Sequence, residues 1–323
     1  MSEPTGALVL GGAGFIAGHL LADLGSKGVR PLISVDLVAP ERPVAGVDYR
    51  IGDVRRPFAE LVPETVATLY NLAAVHRTPG HPDHAYYETN VAGAVNACRL
   101  ATARGIPRIL FTSSISVYGT REEACDETAA LLPTSAYGRS KALAELIHEG
   151  WQEADPANRR VAVLRPAVVF GRGEHGNFDR LLRQLGRRGF VFPGRRDTIK
   201  GCGYVEELIR AMAFCLARDE PLYRANFAYP EPYTIETIAR TLAEEAGLPV
   251  PWLTAPRALV MTAAWGLEIL GALGLRTGIN RDRVRKLLVS THIHPNRLIA
   301  DGYRFDTDLR TGIRAWLADR DAR

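Results

Sequence analysis

The stretch Ala7-Leu8-Val9-Leu10-Gly11-Gly12-Ala13-Gly14-Phe15-Ile16-Ala17 decides the fold. Four apolar residues stopped by paired glycines read as a buried strand and a turn. An apolar helical pattern follows from Phe15 to about Lys27, and Pro31 to Val35 is the next apolar run. Together they make one βαβ unit of about 30 residues. In that context the glycines let the backbone approach a pyrophosphate, and the helix N-terminus offers free N–H groups and a positive dipole end. The spacing is Gly11-x-x-Gly14-x-x-Ala17 rather than G-x-G-x-x-G, and Ala17 is small enough to keep the helix close to the sheet. Asp36 closes the second strand. A carboxylate there accepts hydrogen bonds from the ribose hydroxyls and repels a 2′-phosphate, which favours NAD over NADP, a preference that nearby Arg42 softens.

The alternation continues outward. Thr68–Ala74 reads as a strand, Tyr87–Arg104 as a helix, Arg108–Ser113 as a strand, Ala136–Gln152 as a helix and Val161–Val169 as a strand. Strands alternating with helices imply a parallel sheet covered on both faces. From about residue 171 the rhythm breaks into loops rich in Gly and Arg, then helices. The expected fold is α/β: a doubly wound parallel sheet of the Rossmann type over residues 1–170. A smaller substrate-binding region over residues 171–323 would return some elements to the core.

Composition bounds the function. An apolar fraction of 46% and a charged fraction of 24% are those of a soluble globular protein. The net charge of +4 is scattered along the chain, which argues against a nucleic-acid footprint. Cys98, Cys125, Cys202 and Cys215 lie far apart without metal-ligand spacing, so reduced thiols are expected, with no metal site and no disulfide framework. Met1–Pro4 leads straight into a strand with no visible signal peptide. The apolar stretch Ala258–Leu275 is interrupted by Glu268 and is short for a membrane span. It reads as a buried or interface helix, with a membrane-surface helix as the alternative. A cytoplasmic protein is expected.

Tyr137 and Lys141 are four residues apart on a helix and therefore share a face. A phenol alone holds its proton with a pKa near ~10. An ammonium beside it favours the phenolate, which makes Tyr137 a candidate proton donor and acceptor. Of the 40 basic residues only Lys27, Lys141, Lys200 and Lys286 are lysine, so the spacing is scarcely expected by chance. Ser114 stands at the end of a strand, where open α/β sheets place their ligands. Hydride transfer at an alcohol carbon needs a proton moved on the attached oxygen and a hydroxyl to steady the developing charge.

Further segments fall in register: His19-Leu20, Gly52-Asp53-Val54, Asn71-Leu72-Ala73-Ala74, Asn90-Val91-x-Gly93, Ser113-Ser114-Ile115-Ser116-Val117-Tyr118-Gly119, Tyr137-Gly138-Arg139-Ser140-Lys141 and Leu164-Arg165-Pro166. With the glycine loop they resemble, over residues 7–171, the extended short-chain dehydrogenase/reductase family in its nucleotide-sugar epimerase/dehydratase/reductase branch. The resemblance implies that Ser114 hydrogen-bonds the reacting oxygen, Tyr137 is the acid/base and Lys141 is the ribose-binding activator. It places Gly11, Gly14, Phe15, Ile16 and Asp36 on NAD, Asp53 and Val54 at the adenine, and Leu72, Ala73 and Ala74 beside the phosphates and ribose. Pro166 would line the nicotinamide side, and Asn90 would support the Lys141 end of the cofactor site. Ser116 joins Ser114 and Tyr137 on the substrate side, with Asn177 and Lys200 at the diphosphate of a nucleoside-diphosphate sugar.

Departures from the pattern are Asn71 for a frequent His, Val168 for a frequent Asn and Lys200 for a frequent Arg, which loses a bidentate fork. The usual second Arg before Gly302-Tyr303 is not recognisable, leaving His292, His294 or Arg297 as substitutes. The family also implies a homodimer through the helices Tyr87–Arg104 and Ala136–Gln152.

The residues after Ser114 narrow the reaction. Dehydratases of this branch carry an Asp-Glu pair there, and epimerases acting at C3 or C5 carry a Cys two residues on. This chain has Ile115-Ser116. A 4-epimerase or a 4-ketoreductase remains. Alternatives are a reductase of a non-sugar alcohol such as a steroid or polyketide, with the apolar region 253–275 lining the pocket, and a non-catalytic NAD-sensing protein, which the intact Ser114–Tyr137–Lys141 set disfavours.

Overall fold

In the computed structural model the described residues are 5–62, 66–77, 80–256, 258–260, 262 and 288–321. Most of the apolar stretch Ala258–Leu275 lies outside them, so its expected role is not pursued. The chain begins with β1 (Ala7–Leu10), α1 (Phe15–Ser26), β2 (Leu32–Asp36), β3 (Asp48–Ile51) and β4 (Thr68–Asn71). It continues through α2 (Asp83–Tyr86), α3 (Ala92–Arg104), β5 (Arg108–Thr112), α4 (Ala136–Glu153) and β6 (Arg160–Pro166). Beyond these come β7 (Val168–Phe170), α5 (Asn177–Gly186), β8 (Phe192–Pro193), β9 (Cys202–Tyr204), α6 (Val205–Leu216), β10 (Leu222–Phe227), α7 (Ile235–Glu245) and β11 (Thr254–Ala255).

Seven strands form one parallel sheet in the order β10-β6-β5-β4-β1-β2-β3. The direction of winding reverses between β1 and β4, which opens a crevice at their carboxyl ends. Alternation along β1 explains the two covered faces. Ala7 and Val9 join the core under α1 and α6, while Leu8 and Leu10 join the core under α3 and α4. A third apolar cluster, built on Phe170, Phe178, Tyr204, Leu242 and Trp316, supports the region after β6.

The glycine loop is shaped by close approach. Gly11 has φ +82° and a Cβ there would sit 2.7 Å from the Ala73 nitrogen. At Gly12 a Cβ would lie 1.7 Å from Ser34 Oγ. These two glycines therefore press β1 against its neighbours on both sides.

Two elements differ from the sequence reading. The helix read as starting at Tyr87 begins at Asp83, and residues Tyr87–Val91 form a π-helical turn before α3. Such turns insert an extra residue and often mark functional positions. The strand read as Val161–Val169 is split: β6 ends at Pro166 in the main sheet, and β7 pairs with β9 in a separate two-stranded sheet. Ala167 donates its N–H to Phe227 O at the break. The run is interrupted at Arg165-Pro166, and a proline, which has no N–H to give to the ladder, is where the break falls.

Gly12→Ala should cost about 1–3 kcal/mol through overpacking. Thermal unfolding would read this as a lowered Tm, and adding Ser34→Ala should restore part of it. No recovery would show that the Ser34 contact is not the cause.

Candidate active site

The site is assembled where α4 meets the end of β5. Ser135 caps α4, its Oγ accepting from Gly138 N at 3.1 Å. Ser114 caps the short turn Ile115–Tyr118, its Oγ accepting from Ser116 N at 3.1 Å. A Cβ on Gly138 would lie 2.4 Å from Ser116 O, so only glycine lets the two capped ends touch. That contact brings Tyr137 to Ser114, whose hydroxyl is close enough to act on the phenol. Burial pushes the Tyr137 phenol above its ordinary value, and the Ser114 hydroxyl offsets this in part. The Tyr86 ring lies 6.2 Å from that of Tyr137.

Lys141 departs from expectation. Its ammonium is buried and donates to Thr112 O at 2.7 Å, with the Phe111 ring 4.7 Å away. Burial pushes it down to about 7, and the Glu145 charge opposes this only in part. The expected picture of an ammonium lowering the Tyr137 pKa is therefore corrected: the phenol is raised, and Lys141 reaches the end of β5 instead. The four-residue spacing fixes the helix face, but the flexible stem then follows the nearest carbonyl. Behind Lys141, His148 is stacked on Phe111 and buried to a pKa of about 4. Neutral His148 then donates from Nδ1 to Ala144 O at 2.7 Å and accepts at Nε2 from Asn71 Nδ2 at 3.3 Å.

A buried polar chain anchors this end of α4. Arg165 on β6 bonds both Glu145 oxygens, at 3.0 and 2.6 Å, and donates to Tyr118 Oη at 2.8 Å. Burial works against the Arg165 charge, but the Glu145 bond and charge overcome it and raise the pKa. Tyr118 donates to Asn226 Oδ1 at 2.7 Å, and Asn226 N donates to Glu127 Oε1 at 2.8 Å. The sequence reading missed this network. Its one available signal was Glu145, four residues beyond Lys141 on the same face.

The cofactor end is open to an anion. Gly14 caps α1 without any side chain, and a Cβ there would meet only Gly11 O, at 3.1 Å. Asp36 ties the loop down, accepting from Ala13 N at 2.9 Å and Leu37 N at 2.6 Å. Each of its oxygens keeps a lone pair for a ribose hydroxyl. Leu72, Ala73 and Ala74 leave β4 across Gly11, Leu72 N bonding Leu10 O at 3.0 Å. Phe15 and Ile16 open α1, partly buried against the cluster around Phe170. Val54 is buried, whereas Asp53 is gripped by Arg55 Nε and Nη2 at 2.9 and 2.7 Å and held below its usual range. Pro166 ends β6 beside Phe227. These features fit a dinucleotide laid across the crevice.

Asn90 is bonded to protein groups on both sides. Its Oδ1 accepts from Val75 N at 2.9 Å, and its Nδ2 donates to Ser140 Oγ at 2.8 Å and Val75 O at 3.2 Å. It ties the loop after β4 to α4.

The substrate end also needs revision. Ser116 sits in the Ser114-capped turn, but Lys200 donates to Val289 O at 2.6 Å and is pushed by burial to about 8. Asn177 is exposed as the first residue of α5, yet the buried Glu174 carboxylate lies over that helix end, accepting from Asp179 N at 3.0 Å. An incoming diphosphate would meet this carboxylate. Arg297 is paired with Glu220 and Asp301. His292 and His294 lie against each other, ring centroids 4.5 Å apart.

A hydroxyl–phenol pair at the end of a parallel strand, beside a glycine-lined crevice, defines an NAD-binding enzyme that moves protons on an alcohol. Residues 7–226 match the model of the NAD dependent epimerase/dehydratase family, and the chain belongs to that family. A relative from Escherichia coli O157:H7, an N-acetyl-alpha-D-glucosaminyl-diphospho-ditrans,octacis-undecaprenol 4-epimerase, is 27% identical over 82% of this chain and 81% of its own. UDP-glucose 4-epimerase 3 of Oryza sativa subsp. japonica is 34% identical over 49% of this chain, which spans 47% of that enzyme's length. Among solved structures, MoeE5 in complex with UDP-glucuronic acid and NAD superposes with TM-score 0.78 at 23% identity, covering 98% of this chain and 100% of that one. TunA, an NAD dependent NDP-hexosamine 5,6-dehydratase, gives TM-score 0.77 at 21% identity over 99% and 98%.

Lys141 supplies a pH test. Its folded pKa lies near 7 against the ordinary 10.5, so between those values the unfolded chain binds more protons. This group therefore makes the fold more stable as pH rises through that window. In urea titrations of the protein without added ligand, Lys141→Met should flatten the rise in stability between pH 7 and pH 10. An unchanged slope would contradict the buried placement.

Proposed function

We propose that the protein is an NAD-dependent 4-epimerase of a sugar carried on a diphosphate, nucleoside-diphosphate sugars being the first candidates. The observation that carries this reading is the Ser114–Tyr137 pair with Ile115-Ser116, not carboxylates, following Ser114. Elimination needs a further acid and base at the sugar; the carboxylate one turn beyond Lys141, Glu145, is held by Arg165. NAD, when bound, would supply the hydride acceptor and donor. Gly11, Gly14, Phe15, Ile16, Asp36, Val54, Leu72, Ala73, Ala74 and Pro166 would hold it, with Asp53 available once Arg55 yields. Tyr137 takes the proton from the C4 hydroxyl and gives it back, and Ser114 donates a hydrogen bond to the same oxygen as charge develops. Burial favours the protonated phenol, and the positive charge that NAD would bring to the site would favour the phenolate that the first proton transfer needs. Lys141, at the strand end, acts through the ribose and the local charge rather than by touching the phenol.

One observation favours a second carrier. The relative that matches over 82% of this chain acts on a sugar attached to undecaprenol diphosphate, whereas the UDP-glucose 4-epimerase quoted above matches over 49%. A polyprenyl-diphosphate sugar is therefore the second substrate class.

The deciding assay incubates the protein with UDP-N-acetylglucosamine and, separately, with polyprenyl-diphosphate-linked N-acetylglucosamine, and measures the 4-epimer. Tyr137→Phe should lower kcat by about 10²–10⁴-fold with whichever substrate turns over. Full turnover by Tyr137→Phe would end the proposal. We also propose a homodimer across α3 and α4, whose exposed Leu143 and Leu146 support it, at 43% and 62% exposure. Light scattering should give a dimer for the wild type and a monomer for Leu146→Arg.

A further inference from the structure

We propose that the surface formed by the end of α5, β8 and the loop before β11 docks on an anionic lipid bilayer. Trp252 is 72% exposed, and Val191, Val250 and Leu253 are exposed beside it. The pairing of β8 with β11 draws these residues together: Phe192 N bonds Leu253 O at 2.9 Å, placing Val191 next to Leu253. Scattered exposed apolar residues need no explanation, but a contiguous group does. The loop is also held in place. Arg196 donates to Thr254 Oγ1 at 2.6 Å and to Trp252 O, and stacks over Phe192. The indole is thus presented to solvent by a fixed backbone.

Charge decides the partner. Arg187 and Arg188 are exposed where α5 ends, three residues before Val191 in the second case. Tryptophan, branched aliphatics and arginines together suit the boundary between headgroups and acyl chains. The same surface borders the region where the resemblance puts the substrate's diphosphate. Gly194 and Arg195, just past β8, line a cavity of about 260 Å³ with Glu122, Leu288 and Val289, and Val289 O holds Lys200. Docking here would bring a lipid-anchored diphosphate to the mouth of the site, so the proposal rests on the polyprenyl-diphosphate reading above. Among the described residues no helix is long and apolar enough to cross a membrane.

The test is flotation of the full chain with vesicles of phosphatidylethanolamine and phosphatidylglycerol, against vesicles of phosphatidylcholine alone. Binding to the anionic vesicles is expected, with a loss on the order of tenfold for Arg187→Glu/Arg188→Glu and a similar loss for Trp252→Ser. Both variants should melt with the wild type and epimerise a detergent-solubilised substrate at the wild-type rate. Equal binding by wild type and variants, or none, would overturn the docking surface. So would a change in oligomeric mass on Trp252→Ser, which would assign the patch to a second copy. Turnover of the polyprenyl substrate without vesicle binding would remove the docking alone. Vesicle binding without that turnover would remove the substrate reading and leave the surface standing.

Discussion

Arg165 is buried in the interior with two of its nitrogens on the carboxylate of Glu145, the pair being 4% and 1% exposed. Two charges this deep cost much to desolvate, and their attraction repays the cost only while both are present in good geometry. Removing one partner of such a pair is destabilising by about 3–5 kcal/mol. The pair therefore fixes α4 on β6 and leaves it little freedom to slide. Tyr118 and Asn226 extend the constraint from β6 to the turn after Ser114 and to β10. Three elements from different parts of the chain are thus registered to one another within the length of a hydrogen bond.

That registration matters because the chemistry needs Ser114 and Tyr137 on one oxygen. Each comes from its own capped turn, and Gly138 removes the side chain that would keep the turns apart. The low-dielectric setting then acts on both titratable groups in the same sense: the phenol is pushed up and the ammonium down. Both prefer their neutral forms more than they would in water. A phenol facing a serine hydroxyl is placed to exchange a proton with an oxygen held between them, and a lysine pushed down toward 7 responds to any charge placed beside it.

Much of this was legible in the sequence. The strand–glycine–helix unit at residues 7–26 and the alternation after it defined the parallel sheet, because buried apolar runs and glycine turns are local signals. Tyr137, Lys141 and Ser114 were legible for the same reason: a helical spacing and a strand end are properties of short segments. What spacing could not supply was rotamer and partner. Lys141 turned to Thr112 O, Asn90 to Val75 and Ser140, and Lys200 to Val289 O, each captured by backbone or hydroxyl groups distant in sequence. The break at Pro166 had a local signal in the proline itself, but which sheet receives β7 depends on its pairing with β9, more than 30 residues on.

The account turns on Tyr137 moving a proton on oxygen while the hydrogen on C4 never reaches solvent. Turnover of the substrate in D₂O, followed by mass spectrometry of the epimeric product, measures this directly. The account predicts a 4-epimer with no deuterium bound to carbon. Deuterium on a ring carbon would require a carbanion made by a base that this site does not provide, and would contradict it.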